Sequence, residues 1–332
     1  MSAILSDEQR HLEETAKRLA GDIAVTGPET LRSDPGSDWA KVVELGWPEM
    51  RIRDEAGQPL TSGVEVALIA EALGGRLTQV PFLVSAVLAV ELAERAGAVA
   101  RSGDTVALSV GLGALAGDGP AIAFDSALAD GFLALRGEPG RREVIRGQLS
   151  GEAAELADLT RVAVRLSPEA LAAAEPIGSL DGEAEARWTA LALVGVAAEQ
   201  LGLLQRAEEL AVSYANERHQ FGVPIGSFQA VSHACAEIHV RGEAARSAVW
   251  YAAWAVDALD PVEALRAARV AKAYCGSCGP AAVEAATQIL GGIGVTWENE
   301  AHLLLRRMRL DRHLLGTERH QYAELRKTMM ED

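Results

Sequence analysis

The chain is poor in cysteine, in aromatic residues and in positive charge. Its 332 residues include 3 cysteines, aromatic residues make up 5%, and 31 lysines and arginines oppose 47 aspartates and glutamates, so the formal net charge is −16. An odd and sparse set of cysteines excludes a disulfide framework and fits a reducing compartment such as the cytoplasm. The acidic balance argues against a nucleic-acid partner, because phosphate binding requires a basic surface.

Long hydrophobic runs are also missing. No apolar run approaches the ~18 residues that a membrane span requires, and the longest candidate, around residues 80–92, is shorter and ends in charge. The first residues are typical of an acidic helix start rather than of a signal peptide. Because hydrophobic residues still make up 49% of the chain, we expect a sizeable core and no membrane span.

Helical and strand-like patterns follow one another in three blocks. Apolar spacing predicts helices over 7–24, 38–45, 64–73 and 80–96. Short apolar runs separated by Gly, Asp and Pro then predict five strands, over 105–112, 121–124, 132–136, 143–145 and 161–166. Longer apolar stripes predict helices over 185–216, 231–259, 262–290 and 298–315, with a short tail helix after Thr317. Asp260 and Pro261 suit the cap and first residue of the third of these.

These blocks predict an α+β fold that is mostly helical. We expect an N-terminal helical domain over 1–102 and a small β domain over 103–180. A bundle of four long antiparallel helices would follow over 181–332.

The first of two unusual segments runs from Glu217 to Gln229 and breaks a predicted helix with two glycines and a proline. Its composition alone favours a plain turn between helices. However, Arg218, Gln220 and Gln229 place a guanidinium group and two amides beside glycine-rich backbone. That combination suits an anionic, hydrogen-bonding ligand such as a diphosphate.

The second segment runs from Gln288 to Glu298 and carries Gly291, Gly292 and Gly294 at a joint between helices. Glycines let the backbone come close to a ligand, and a glycine-rich turn that opens a helix can present free N–H groups to phosphate. The sequence has neither the strand-linked G-x-G-x-x-G nor the P-loop lysine, which excludes a Rossmann or kinase-like site.

Together the two segments closely resemble the flavin-dependent acyl-CoA dehydrogenases. The chain reads Arg-His-Gln-Phe-Gly-Val-Pro-Ile-Gly-Ser-Phe-Gln and, later, Gln-Ile-Leu-Gly-Gly-Ile-Gly-Val-Thr-Trp-Glu, and the stretch 302–307 continues the match. The order of helices, strands and helical bundle agrees as well, so the resemblance covers most of the chain.

The resemblance implies a set of FAD contacts made across a subunit interface. Arg218 would hold the FAD diphosphate. Gln220, Phe221 and Ile225 would line the adenosine half, with Phe228 and Gln229 close by. Gln288, Gly291 and Gly292 would bring an amide and backbone against the ADP moiety.

The resemblance also shows what is missing for catalysis. In the family a glutamate abstracts the α-proton of the acyl-CoA while hydride passes to the flavin. That glutamate lies either in a Tyr-Glu-Gly-Thr motif, where this chain has Leu315, or on the first bundle helix, where it has Ala192. Neither side chain can accept a proton, so no catalytic residue is expected here. The Thr-Glu-x-x-x-Gly-Ser and Trp-Ile-Thr-Asn-Gly segments that cradle the flavin ring are absent from 103–180.

In these absences, in its short length and in the segment 80–83, this chain resembles one subgroup of the family. It is the short subunit of actinobacterial heteromeric acyl-CoA dehydrogenases that act on steroid side-chain CoA thioesters. The similarity implies an α2β2 heterotetramer in which a longer partner binds most of the acyl-CoA, supplies the base and shares FAD with this chain. Two alternatives remain open. One is an active homo-oligomer with an unconventional carboxylate such as Glu318, and the other is a non-catalytic helical-bundle scaffold.

Several ionisable residues outside these segments are expected to have structural rather than catalytic roles. Cys275 and Cys278 have redox-like spacing, but they lie in a predicted helix without a second pair, so we expect packing and no metal site. His233 and His239 are six apart, and one is expected to face solvent while the other contacts a neighbouring helix.

Two charged groups complete the set. The basic residues Arg306, Arg307, Arg309 and Arg312 are expected to form a solvated or salt-bridged face, with contact to a partner or to a CoA phosphate as the alternative. The acidic residues Glu199, Glu208 and Glu209 are expected at the surface or at an interface.

Overall fold

The computed structural model describes residues 5–113, 119–138 and 140–331. Its helices are α1 (Asp7–Asp22), α2 (Gly36–Glu44), α3 (Gly63–Gly75), α4 (Val90–Arg95), α5 (Pro168–Ala172), α6 (Gly182–Glu217), α7 (Gln229–Ala258), α8 (Pro261–Leu290), α9 (Ala301–His313) and α10 (Glu318–Glu331). The strands are β1 (Asp104–Ser109), β2 (Ala121–Phe124), β3 (Gly131–Arg136), β4 (Arg141–Gln148), β5 (Gly151–Ala154), β6 (Ala163–Leu166), β7 (Glu175–Asp181), β8 (His219–Gln220) and β9 (Val223–Pro224). The predicted mostly helical α+β fold is confirmed, whereas the domain boundaries remain predictions.

The larger sheet has seven strands in the order β5-β6-β2-β1-β3-β4-β7. All neighbouring pairs are antiparallel except β1 and β3, which are parallel. The prediction of five strands missed β5 and β7. Both are edge strands with largely exposed residues, and therefore lack the apolar run that marks a buried strand.

The bundle differs from the prediction of four long helices. Helices α6, α7 and α8 have 36, 30 and 30 residues, but α9 has only 13. It ends at His313 because Leu315 and Gly316 both adopt positive φ, at 57° and 96°, which a helix cannot accommodate. The predicted cap of α8 is confirmed, since the Asp260 carboxylate accepts from the backbone N–H of Val262 and Glu263.

Helix α6 is the centre of the molecule. By length and by the mean hydropathy of its most apolar 18-residue window (1.2) it could cross a membrane, contrary to the prediction of no such run, and it is the one such helix in the described ranges. However, 89% of its apolar window is buried inside the protein, so it is the core helix on which the others pack. One continuous hydrophobic core joins α1, α3, the sheet and the bundle, and a smaller one lies on the other face of the sheet.

Helices α3 and α6 cross with their backbones in direct contact. A Cβ atom on Gly74 would lie 2.8 Å from Glu199 Cα, and one on Gly75 would lie 2.9 Å from the Gly202 carbonyl oxygen. A Cβ on Gly202 would collide with the Glu71 carbonyl. Glycine is therefore required at this crossing, which ties the N-terminal helices to the bundle.

The predicted helix over 80–96 consists of a π-helical part and an α-helical part. Residues 82–89 form a π-helix, and α4 continues it. The buried Trp188 indole of α6 donates a 2.9 Å hydrogen bond to the Leu88 carbonyl within this segment. That bond fixes the π-helical segment against the centre of the bundle.

Candidate functional site

The Arg218 segment forms a tight hairpin at the end of α6. Strands β8 and β9 pair with each other, and Phe221 and Gly222 occupy the turn with φ of 53° and 83°. Two positive φ angles are what a two-residue type I′ hairpin requires. A phenylalanine in this region of φ is strained, and the Phe221 side chain is 94% exposed, so burial within this chain does not offset the strain. The segment is therefore a turn between helices, and its geometry presents an aromatic ring outward.

The second segment continues from the end of α8. Gly291 has φ of 63°, and residues Gly291–Val295 form a short 3₁₀-helix. A Cβ atom on Gly291 or Gly292 would meet no atom within 4 Å, whereas one on Gly294 would lie 2.9 Å from the Thr287 carbonyl oxygen. Packing among the described residues therefore explains why residue 294 is a glycine. It does not explain the glycines at 291 and 292, whose backbone is open to a ligand.

The topology brings both segments to one end of the bundle. Helices α6 and α8 pack together, and α7 lies antiparallel to both, so α6 and α8 run in the same direction. Their C-termini, which carry Arg218 and Gln288, therefore share one end. We call residues 218–229 together with 288–297 the bundle-end surface.

Charged and amide groups on the bundle-end surface are available to a ligand. Arg218, Gln229 and Gln288 are exposed, and within the described ranges none of the three side chains has a hydrogen-bond or ion-pair partner. Gln220 differs, because its amide donates a 2.8 Å hydrogen bond to the His219 carbonyl. A guanidinium group without a counterion in an acidic protein is an accessible anion site.

Apolar groups surround these polar ones. The Phe221 and Phe228 rings meet edge to face at 6.2 Å, and Ile225 is half-buried beside them. The other exposed large apolar side chains here are Val223, Ile293, Val295 and Trp297, with exposures of 39%, 48%, 74% and 57%. Several exposed apolar side chains at one end of a bundle are typical of an interface with another protein or a ligand.

The two positions where the resemblance predicts a base are apolar and enclosed. Ala192 is fully buried in α6, and Leu315 is 7% exposed. The Leu315 backbone N–H donates a 2.7 Å hydrogen bond to the Leu112 carbonyl, and its own carbonyl accepts one of 2.7 Å from the Gln321 amide. Lys272 donates to the neighbouring carbonyls of Arg312 and Gly316 at 3.1 and 3.3 Å.

Little space remains beside Leu315. The cavity there measures about 120 Å³, with Leu135, Trp188, Leu193 and His320 among its lining residues. Ligand pockets for drug-sized molecules measure roughly 300–1,000 Å³. This cavity is therefore too small for an acyl-CoA or a flavin ring.

Glu318 is engaged by a neighbouring arginine. Both of its carboxylate oxygens accept hydrogen bonds from the Arg312 guanidinium, one of them at 2.8 Å. These hydrogen bonds lower the pKa of Glu318. A carboxylate with a lowered pKa is a poorer proton acceptor at neutral pH, which disfavours Glu318 as an unconventional base.

The basic residues of α9 are salt-bridged or hydrogen-bonded. Arg307 is buried and donates a 2.6 Å hydrogen bond to Asp158, while Arg309 pairs with Glu284 and Arg312 with Glu318. Arg306 donates to the Ala157 carbonyl at 2.9 Å. The salt-bridged interpretation is confirmed, but Arg307 lies inside the protein rather than on a face.

Of the three acids on α6, Glu199 was predicted wrongly. It is 6% exposed and accepts a 2.5 Å hydrogen bond from Arg161, between the sheet and the bundle. The prediction for the histidines is confirmed, since His239 contacts Glu208 of α6 at 2.8 Å and His233 is exposed. The buried partner of Glu199, Arg161, is the first residue of the predicted strand over 161–166, and a charged residue at the start of a strand gives no sequence signal of burial.

The two closely spaced cysteines are packing residues. Cys275 and Cys278 are both buried and free. Burial raises the pKa of Cys275 above its usual range and raises the pKa of Cys278 to about 11. Both are therefore unreactive thiols at neutral pH, as the sequence predicted.

Comparison with known proteins agrees with this architecture. The family described as acyl-CoA dehydrogenase, C-terminal domain, matches residues 191–330. Acyl-CoA dehydrogenase IpdE2 of Mycobacterium tuberculosis (strain ATCC 25618 / H37Rv) is 30% identical over 98% of this chain and 98% of its own length. IpdE2 of Mycolicibacterium smegmatis (strain ATCC 700084 / mc(2)155) is 30% identical over 97% of this chain and 98% of its own length.

Solved structures show the same fold. The Tcur3481-Tcur3483 steroid ACAD G363A variant superposes with a TM-score of 0.81 at 23% identity, covering 98% of both chains. The ChsE4-ChsE5 complex from Mycobacterium tuberculosis superposes with a TM-score of 0.79 at 21% identity, and the match covers 100% of both chains. With full-length relatives and the matching C-terminal domain, the chain belongs to the acyl-CoA dehydrogenase family.

Proposed function

We propose that this chain is the non-catalytic subunit of a heteromeric, flavin-dependent acyl-CoA dehydrogenase. The complex would carry out α,β-dehydrogenation of an acyl-CoA thioester, with a steroid side-chain CoA as the substrate class. This chain would complete the FAD site of a longer catalytic partner in an α2β2 heterotetramer. The observation that carries the proposal is the contrast between an enclosed apolar Leu315 at the predicted base position and an exposed Arg218 whose side chain has no partner among the described residues.

The chain fits one half of FAD. Arg218 offers charge-assisted hydrogen bonds to the diphosphate, and Gln288 offers an amide nearby. The open backbone at Gly291 and Gly292 allows close approach by the ADP moiety. Gln220, Phe221, Ile225, Phe228 and Gln229 would line the adenosine half.

The other half of FAD does not fit. The cavity of about 120 Å³ beside Leu315 cannot enclose an isoalloxazine ring. Bound FAD would accept the hydride, so the ring, the acyl chain and the proton-accepting base must all be located on the partner. What this chain contributes is binding: it holds the diphosphate, covers the adenosine from water and fixes the partner's orientation.

The relatives support the heteromeric assembly and the substrate class. One similar structure is a complex of two differently named chains, ChsE4 and ChsE5, and another is a steroid ACAD. We extend both properties to this chain as part of the proposal. A cytoplasmic location is part of it too, since all three cysteines are free thiols.

The visible absorbance spectrum tests the proposal directly. The chain is purified alone and then co-expressed with a longer acyl-CoA dehydrogenase encoded beside it. We expect no flavin band from the chain alone and one FAD per heterodimer from the pair. A full flavin band from the chain alone would overturn the proposal and favour an active homo-oligomer.

A matched pair of arginine variants separates the proposal from a plain scaffold. Arg218→Ala removes one charge-assisted contact, which typically contributes about 1.5–3 kcal/mol, so FAD affinity of the complex should fall roughly 10- to 100-fold. Arg319→Ala removes an equally exposed arginine from α10 and should leave FAD affinity unchanged. Equal retention by both variants would indicate that the chain is a non-catalytic scaffold.

A further inference from the structure

Six ionisable side chains are buried together where the sheet meets the bundle. Their side-chain exposures are all below 10%. They are Asp125 after β2, Asp158 and Arg161 before β6, Glu199 on α6, and Arg307 and Asp311 on α9. Four carboxyl groups thus share a sealed volume with two guanidinium groups.

Both arginines donate hydrogen bonds to other acids, although Arg161 Nε has no hydrogen-bond partner in the described part of the chain. Arg161 donates to Asp125 through one nitrogen and to Glu199, at 2.5 Å, through another. Arg307 donates to Asp158 at 2.6 Å, and it also bonds the Thr160 hydroxyl and the Thr78 carbonyl. Three of the four carboxyl groups therefore have a charged hydrogen-bond donor.

Asp311 is the exception. Its side chain has 0% exposure, and in the described part of the chain neither carboxyl oxygen has a hydrogen-bond partner. The nearest cationic atom is Arg161 Nη2 at 3.9 Å, and its hydrogen bond goes to Glu199. A buried carboxylate without a donor is destabilised by several kcal/mol, and such a group normally takes up a proton.

The charges around Asp311 do not favour its ionised form strongly enough to offset its burial. Glu199 faces it from α6, and Asp158 and Arg161 face it from the loop before β6. Arg307 lies on its own helix, and Asp125 adds a further negative charge to the cluster. Lys272 of α8 interacts with Asp311 electrostatically, but its ammonium group donates to the Arg312 and Gly316 carbonyls. Burial, followed by repulsion from Glu199, raises the pKa of Asp311 to about 8.

We propose that Asp311 is a neutral carboxylic acid in the folded protein at neutral pH, and that its ionisation at alkaline pH weakens the contact between sheet and bundle. Ionisation would place a further negative charge, one without a hydrogen-bond donor, against Glu199 and Asp158 in this buried cluster. Helix α9 ends at His313, two residues before Leu315, so the weakened contact would also release the loop at the predicted base position. The inference does not depend on the proposed function.

The sign of the effect on stability follows from proton uptake. In the unfolded chain Asp311 has its ordinary pKa near 3.8, and in the folded chain the pKa is higher. Between these values the folded state retains a proton that the unfolded state has released. Stability contributed by this group therefore falls as pH rises from about 4 to about 8, and then levels off.

Asp311→Asn tests this because the amide has the same shape and no charge. The unfolding equilibrium constant is measured by denaturant titration between pH 5 and pH 9, for the whole chain in the form in which it purifies. The ratio of the wild-type constant to the variant constant should rise by up to tenfold per pH unit to about pH 8, and then stay constant. A ratio that does not change with pH would overturn the proposal.

A control variant and a second measurement keep the test decisive. Asp158→Asn removes a carboxylate bonded to Arg307, so it should raise the unfolding constant without cancelling the pH dependence due to Asp311. Carboxyl-carbon NMR of aspartate-labelled wild-type protein requires no variant to fold. One aspartate resonance should report a protonated acid at pH 7 and titrate at alkaline pH, whereas a full set of ionised aspartates at pH 7 would contradict the proposal.

Discussion

The backbone nitrogen of Leu315 lies 2.7 Å from the carbonyl oxygen of Leu112 and donates a hydrogen bond to it. This bond joins the loop after α9 to the loop after β1, so the backbone at Leu315, where the resemblance to the family predicts a base, is held against that loop. A change of side chain alone is therefore not expected to create a catalytic site here, because the cavity beside Leu315 measures only about 120 Å³.

Leu315→Glu should therefore create no dehydrogenase activity in the chain alone. The new carboxylate would be buried without a partner, so we expect a loss of about 2–4 kcal/mol in the free energy of unfolding. Denaturant unfolding and an acyl-CoA oxidation assay measure the two effects. Val99→Glu, at a position 81% exposed, is the control and should change stability by less than about 0.5 kcal/mol. Acquired activity would contradict the closed-loop interpretation.

Two glycine-to-alanine variants should act in opposite directions. At Gly202 a Cβ collides with the Glu71 carbonyl of α3, and backbone cannot move aside cheaply, so Gly202→Ala should destabilise the protein by about 1–3 kcal/mol. At Gly21 in α1 a Cβ meets nothing within 4 Å, so Gly21→Ala should stabilise it by about 0.5–1 kcal/mol. Thermal unfolding of both variants checks the pair, and a neutral Gly202→Ala would mean that the helices can separate.

The ion pair between Arg206 and Glu300 should position the glycine-rich segment. Arg206 of α6 donates to both Glu300 oxygens, at 3.1 and 2.5 Å, directly before α9 begins. Glu300→Ala should weaken FAD retention by the complex roughly 3- to 10-fold, because residues 288–297 lose their anchor to α6. Glu243→Ala breaks the exposed pair with Arg246 and is the control. If the two variants retained FAD equally, Glu300 would have no positioning role.

The three cysteines should differ in reactivity. Cys235 is half-buried, whereas Cys275 and Cys278 are buried, and burial raises the pKa of all three thiols. A thiol reagent at pH 8 should modify Cys235 first and the other two only on unfolding. Mass spectrometry of the labelled peptides gives the order, and early labelling of Cys275 would show that α8 opens locally.

Sequence periodicity predicted the long helices well, because each buries an apolar stripe over many turns. It missed β5 and β7, since edge strands with exposed residues carry no such stripe. Motif residues such as Arg218 and Gln288 could be found because their types and order are distinctive. The burial of Glu199 and the bond between Leu315 and Leu112 could not, because each depends on a partner distant in sequence.

The glycine crossing of α3 and α6 has a consequence for how the molecule folds. Gly74 and Gly75 make backbone contact with a helix that begins only at Gly182, after the whole sheet has been synthesised. The N-terminal helices therefore lack their packing surface while the chain leaves the ribosome, and they remain exposed until α6 follows. Contacts of such long sequence separation slow folding, so a truncation before α6 should yield an aggregation-prone fragment rather than an independent helical unit.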